Sequence, residues 1–266
     1  LSVLIVIPAR YASSRYPGKP LATLTGATGE TKSLIQRSWE AACQVAGVDR
    51  VVVATDDARI KSAAEAFGAE VVMTSESCGN GTERCAEALQ NLGGGYDIIV
   101  NLQGDAPLTP HWFVEDLVKG LRADPEAEVA TPVLRCEGRA LNGFLQDRAA
   151  GRVGGTTAVF GTGGRALYFS KEVIPYTGQS YGDDALTPVF HHVGVYAYRP
   201  AALADYAGWD MGPLEALEGL EQLRFLERGR PVLCVEVEAR GRQFWELNNP
   251  EDVPRIQTMM AEMGMA

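Results

Sequence analysis

The sequence lacks any apolar run of the 18 or so residues that a membrane span needs. Its longest apolar stretches, Val3–Ile7 and Val51–Ala54, have the length of strands. It is short of positive charge, with 24 Lys and Arg against 34 Asp and Glu, a net charge of −10. That balance excludes a general electrostatic grip on nucleic acid or an anionic membrane, so any anion site must be a local cationic cluster. Cys43, Cys78, Cys85, Cys136 and Cys234 are scattered and odd in number, with no CxxC pair. A disulfide framework and a zinc site are therefore disfavoured, and reduced cytosolic thiols are expected. The N-terminus opens inside a strand with no charged lead and no small-residue cleavage site, so no secretory signal is expected. Disorder is excluded by composition: 46% of the 266 residues are hydrophobic, enough for a full core.

The first half alternates strand and helix signals. Strands are expected at Ser2–Ile7, Arg50–Ala54, Glu70–Met73 and Asp97–Leu102. Helices are expected over 33–46 with Ser33 as N-cap, and at Asp57–Phe67, Thr82–Leu92 and His111–Leu121. This alternation predicts an α/β fold, a doubly wound and mainly parallel sheet. In the second half, strands are expected at Val129–Leu134, Val193–Tyr198 and Val232–Glu238. Residues 138–155, rich in charge and glycine, read as loop. Thr156–Phe160 and Ala166–Phe169 read as a hairpin about Gly161–Gly164. Leu214–Glu227 and Glu251–Met263 read as helices. One domain over 1–266 with a β-rich excursion around 135–195 is the expected organisation.

The sharpest local feature is IPARYASSRYPGKPL, residues 7–21. Arg10, Arg15 and Lys19 follow strand 1 within ten residues. A cationic loop at the C-terminal edge of a parallel sheet stands where ligands of open α/β sheets bind, and it suits a polyphosphate. It is not a Walker A loop, because Ser13 and Pro20 replace the required Gly and Ser/Thr. No G-x-G-x-x-G follows the strand, so dinucleotide binding and hydride chemistry are disfavoured.

These residues resemble the N-terminal signature of sugar nucleotidyltransferases that activate acid sugars with CTP. The sequence is most similar to the 3-deoxy-manno-octulosonate (Kdo) cytidylyltransferase family. The resemblance continues in order through VVVATDD (51–57), NGTERCAEA (80–88), NLQGDAPL (101–108), ALYFSKEVIPY (166–176), HHVGVYAYR (191–199), PLEALEGLEQLRFLERG (213–229) and NNPEDV (248–253). It implies a nucleotide-diphospho-sugar transferase fold and a transfer of CMP from CTP to the sugar with release of pyrophosphate. It implies Mg²⁺ as cofactor, CTP and an acid sugar as partners, a homodimer, a cytosolic location and a place in lipopolysaccharide synthesis.

Residue by residue, the resemblance assigns Arg10, Arg15 and Lys19 to the triphosphate and to catalysis. Pro8, Ala9, Asn80, Gly81, Thr82, Arg84, Gln103 and Gly104 join Arg10 in the nucleotide pocket, with Gln103 near the cytosine and Thr82 able to cap its helix. Lys171, His192, Tyr196, Glu221 and Gln222 would face the sugar. Glu218, Glu221 and Gln222, at i, i+3 and i+4, would share one helix face. His191 and His192 stand beside a strand, and alternation would send them to opposite faces, which argues against a metal site. Asp105 and Asn248 would meet the metal.

The sequence departs from the family's pattern on the sugar and second-metal side. Asn248 stands where an Asp is usual, Lys171 where Arg is expected, and Thr157 where a lysine is usual. Glu246 or a water could compensate at the metal. The departures leave open a different acid sugar, such as an 8-amino Kdo or a nonulosonic acid, and a catalytically weak nucleotide-binding protein.

Overall fold

In the computed structural model, residues 1–12, 16–105, 107–153, 155–242, 245–247 and 249–265 are described. The elements run β1 (Val3–Ala9), β2 (Thr23–Thr25), β3 (Thr31–Ser33), α1 (Leu34–Cys43), β4 (Arg50–Thr55), α2 (Ala58–Ala66), β5 (Glu70–Met73), α3 (Gly81–Asn91) and β6 (Ile98–Leu102). They continue with α4 (His111–Ala123), β7 (Val129–Glu137), α5 (Gly138–Ala149), β8 (Thr156–Phe160), β9 (Ala166–Ser170), β10 (Leu186–His192) and β11 (Val195–Tyr198). The last are α6 (Pro200–Ala207), α7 (Pro213–Glu218), α8 (Leu223–Glu227), β12 (Val232–Glu236) and α9 (Asp252–Glu262). The chain divides into two compact units.

The first unit holds Leu1–Glu115, Tyr198–Ala207 and Arg240–Ala266. Its sheet runs β5-β4-β1-β6, and every pair is parallel. β1 is buried along most of its length, which is why it reads as an unbroken apolar run instead of an alternating one. It continues through Pro8 to Ala9, past the expected stop, in register with Ala54 and Thr55. Ser33 caps α1, its Oγ accepting the Gln36 N–H at 3.3 Å. Residues just before that cap form β2 and β3, a short hairpin that the sequence reading left out. A second cluster of Leu24, Leu34, Leu108, Leu247, Ile256, Met259 and Met260 seats α9 in this unit.

The second unit holds Asp116–Ala197 and Gly208–Ala239. Its strands run β11-β7-β10-β8-β9, with β12 parallel to β7. The hairpin of β8 and β9 is present, Ala158 opposite Phe169. β10, which sequence reading missed, is antiparallel to both β7 and β8.

Two expectations are corrected here. Residues 138–149 are helix, not loop. Their charged side chains hid an apolar pair at i, i+3: Leu141 is buried and Phe144 packs with it on Cys136 and Val189. Gly138 opens the helix where a Cβ would stand 2.1 Å from Gly182 O, so only glycine fits. The expected helix 214–227 is two helices, because Gly219 takes φ 62 and closes α7 in the left-handed conformation. Glu218, Glu221 and Gln222 therefore do not share one helix face.

Candidate active site

The residues expected on the nucleotide side lie in the first unit. β1 and β6 are adjacent and parallel, with Val6 opposite Asn101, so Pro8–Ala9 and Leu102–Gly104 leave the sheet at the same edge. They approach so closely that a Cβ on Gly104 would lie 2.9 Å from Pro8 O. Ser38 Oγ on α1 fixes the turn by donating to Gly104 O at 3.1 Å. Arg10 is exposed directly after β1. Arg15 lies outside the described residues.

Gly18, at φ 70, turns the chain into a short 3₁₀ helix that starts at Lys19. Its N–H donates to Tyr11 O at 2.9 Å, which closes the neck of the basic loop. Lys19 Nζ then donates to Asp105 Oδ2 at 2.6 Å, both side chains only partly exposed. Leu247 N donates to Asp105 O at 2.9 Å. This bond brings the segment before Asn248 to Asp105 across 142 positions of sequence. Asn248 itself lies outside the described residues.

Asn80 caps α3, its Oδ1 accepting the Glu83 N–H at 2.9 Å while its Nδ2 donates to Tyr206 Oη at 2.9 Å. The expected cap, Thr82, is instead buried inside the first turn and shares a 2.8 Å hydrogen bond with Tyr198 Oη. Gly81 lies against Gln103: a Cβ there would be 3.1 Å from Gln103 Nε2 and 3.1 Å from Asn101 Nδ2. Arg84 is engaged differently from a ligand contact. Its guanidinium is buried and donates to Asp56 Oδ2 at 2.9 Å and to Thr74 Oγ1. It ties α3 to the ends of β4 and β5.

The donor set at Asp105 fits a hard cation of modest protein coordination. Mg²⁺ retains several waters and binds through one or two carboxylates plus substrate phosphates. Asp105 is such a carboxylate, partly exposed beside a lysine suited to phosphate. Among the described residues no group of three or more His, Cys, Asp or Glu could form an all-protein cage.

The residues expected on the sugar side lie in the second unit. His192, at the end of β10, shares a 2.9 Å hydrogen bond between Nε2 and Thr131 Oγ1. Thr131 Oγ1 also donates to Val195 O at 2.9 Å. With its one proton used there, the hydroxyl accepts from His192 Nε2–H, and Nδ1 is left as an acceptor. Burial, then the neighbouring His191, pushes the His192 pKa down to about 3, so the ring is neutral. The His192 ring lies 5.0 Å from that of Phe169 and 5.6 Å from that of Tyr196. Tyr196 Oη donates to Gln222 Oε1 at 2.9 Å, and Gln222 Nε2 is buried with no hydrogen-bond partner.

His191 is adjacent in the strand but packs its ring on Phe144, 5.2 Å away, as alternation requires. Glu218 is a residue that the face argument placed wrongly. Its carboxylate accepts from Ser170 Oγ at 2.7 Å and Lys171 N at 2.9 Å, which fixes the end of β9. Lys171 is half-buried, with its Nζ 3.0 Å from where a Cβ on Gly219 would stand. Glu221 is half-buried in the turn between α7 and α8. Thr131, Ser170 and Asn101 were given no role by the sequence reading, although Ser170 and Asn101 lie inside the blocks 166–176 and 101–108. Thr157, at a departure from the family pattern, donates to Glu172 O at 2.7 Å and accepts from Ile174 N at 3.2 Å.

Known proteins resemble this chain along its length. The cytidylyltransferase family pattern matches residues 4–232. A 3-deoxy-manno-octulosonate cytidylyltransferase of Maricaulis maris (strain MCS10) is 44% identical over 264 residues, covering 99% of both chains. A mitochondrial protein of the same name from Arabidopsis thaliana is 39% identical over 266 residues, covering 99% of this chain and 85% of its own. A solved CMP:2-keto-3-deoxy-manno-octonic acid synthetase, complexed with CTP, superposes with a TM-score of 0.82 at 36% identity, covering 99% of this chain and all of that one. With relatives this similar along its full length, the chain belongs to the 3-deoxy-manno-octulosonate cytidylyltransferase family.

Proposed function

We propose that this protein activates an acid sugar, Kdo, with CTP to give CMP-Kdo and pyrophosphate. The observation that carries the reading is the meeting of Lys19 and Asp105 at the sheet edge where Gln103 and the start of α3 also converge. One cation, one carboxylate and a pair of amides at a helix start suit a nucleoside triphosphate with its metal.

In the reaction, the sugar's anomeric hydroxyl oxygen bonds to the α-phosphorus, the bond to the β-phosphate oxygen breaks, and the hydroxyl proton passes to solvent. Phosphoryl transfer of this kind is catalysed mainly by positioning and by charge neutralisation. Arg10, Arg15 and Lys19 hold the triphosphate and offset charge on the leaving pyrophosphate. Asn80, Gly81, Thr82 and Gln103 enclose the nucleoside, and Pro8, Ala9 and Gly104 supply close backbone. Arg84 supports that pocket from behind through Asp56. Asp105, with Asn248 or Glu246, holds Mg²⁺, which when bound supplies further neutralisation of the phosphate oxygens. His192 Nδ1 accepts from a sugar hydroxyl, Gln222 Nε2 donates, and Lys171, Tyr196 and Glu221 complete the sugar contacts.

The same reading takes residues 1–266 as one nucleotidyltransferase domain acting as a homodimer in the cytosol, at the start of sugar delivery to lipopolysaccharide. The five free thiols accord with a reducing compartment. Among the described residues no helix is long and apolar enough to cross a membrane.

A second reading changes the sugar. Thr157 spends its hydroxyl on Glu172 and Ile174, and Lys171 offers a point charge in place of an arginine fork. Those two positions favour a related 2-keto-3-deoxy acid, such as an 8-amino Kdo or a nonulosonic acid. Pyrophosphate release from CTP and Mg²⁺ separates the readings, with Kdo, its 8-amino form and a nonulosonic acid as acceptors and a no-sugar blank. Kdo-dependent release supports the first, release only with another acid the second, and CTP binding without release with any acid leaves a nucleotide-binding protein.

A further inference from the structure

Asn101 is the least explained polar residue of the nucleotide side. It is fully buried on β6, and neither its Oδ1 nor its Nδ2 has a hydrogen-bond partner. A buried primary amide has two donor and two acceptor positions to satisfy, and native proteins rarely leave all of them unmet. Asn101 and Gln103 are two apart at a strand end, so they point the same way. Both reach the first residue of α3: a Cβ on Gly81 would touch Asn101 Nδ2 and Gln103 Nε2, each at 3.1 Å. The two amides thus both lie against the start of α3.

A glutamine facing a pyrimidine cannot discriminate alone. Turned one way it offers N–H, turned the other way C=O, so it can match cytosine or uracil by flipping. The edges differ at N3, which is an acceptor in cytosine and a donor in uracil. Selection requires a neighbour that holds the amide in one orientation. We infer that Asn101 is a positioning residue that sets the nucleobase specificity of this site. When nucleotide binds, its Nδ2, unpaired in this structure, donates to Gln103 Oε1, which leaves Gln103 Nε2 to donate to a base whose N3 accepts. The inference rests on the proposed cytidylyl transfer and names what would make it selective.

The test is Asn101→Leu, which keeps the volume and removes both polar atoms, together with Asn101→Ala, Gln103→Leu and the double variant Asn101→Leu/Gln103→Leu. Affinities for CTP and UTP are measured by calorimetry, and thermal melting identifies any variant that does not fold. Wild type should prefer CTP. Asn101→Leu should lower the CTP/UTP affinity ratio about tenfold, while its melting temperature holds or rises because an unpaired buried amide is gone. In the Gln103→Leu background the same substitution should leave the ratio unchanged. Should Asn101→Leu fail to fold, Asn101→Ala carries the same expectation for the ratio. An unchanged ratio in a folded variant, with CTP still preferred, overturns the role of Asn101 alone. A wild type that binds neither nucleotide, or both equally, overturns the proposed function and this inference together.

Discussion

Lys19 Nζ stands 2.6 Å from Asp105 Oδ2 and joins the loop after β1 to the loop after β6. The two side chains are only 15% and 27% exposed, so the pair is partly desolvated and each charge depends on the other for a partner. Both charges stand at the sheet edge where the proposed triphosphate and its metal would bind. Lys19→Met leaves the Asp105 carboxylate unpaired and should cost about 1–3 kcal/mol of unfolding free energy, while it and Asp105→Asn should each lose about 10²–10³-fold in turnover, the usual cost of one transition-state charge contact. Pyrophosphate release and a thermal melt on the same samples decide it. A large fall in melting temperature with turnover retained would make the pair structural.

Arg84 has the opposite balance. Its guanidinium is 3% exposed, is paired with Asp56 and donates to Thr74. A lysine there keeps the charge but cannot fork between two acceptors. Arg84→Lys should cost about 1–3 kcal/mol of unfolding free energy. In the variant that remains folded, the KM for CTP should change little. A KM that rises steeply while the melt is unchanged would place Arg84 on the nucleotide itself.

These cases show what the sequence made legible. The parallel sheet was readable because β1, β4 and β6 are continuous apolar runs broken by helices of regular spacing. The basic loop was readable because three cations follow a buried strand in an acidic chain. α5 was not, since only Leu141 and Phe144 of its face meet the core and its other positions are polar. The break at Gly219 depends on one backbone torsion, and the sequence 213–229 is otherwise helical in pattern. Asn101 stood inside a quoted block, yet its role was not legible, because its character comes from the atoms that surround it and a strand asparagine has no spacing signature.

His192 predicts a pH dependence of stability. Its pKa is about 3 in the folded chain, against about 6.5 for an unperturbed histidine. Between those values the unfolded chain binds a proton that the folded chain does not. The contribution of the neutral buried ring is complete above pH 6.5 and is lost as pH falls towards 3, with a limiting slope of about 1.4 kcal/mol per pH unit. His192→Asn should flatten the fall in unfolding free energy between pH 6 and pH 4, read from denaturant titrations. His191, held down to about 4 by burial, remains in the variant and keeps part of the slope. An unaltered slope would mean that His192 is protonated in the native state.

Gly219 links the fold of the second unit to Lys171, the lysine proposed to meet the sugar. It adopts φ 62, and a Cβ there would stand 3.0 Å from Lys171 Nζ. Gly229 provides the control: it adopts φ 70, and nothing lies within 4 Å of its Cβ position. An alanine at either site bears the left-handed backbone cost, about 1 kcal/mol of stability. Only Gly219→Ala must also displace the Lys171 ammonium. Both variants should lose similar amounts in a denaturant melt, while only Gly219→Ala should raise the KM for the acid sugar, by about tenfold if one charged contact is weakened by about 1.4 kcal/mol. The KM for CTP should hold in both. Equal sugar KM values in the two variants would remove Lys171 from the sugar site and leave Gly219 as a helix stop only.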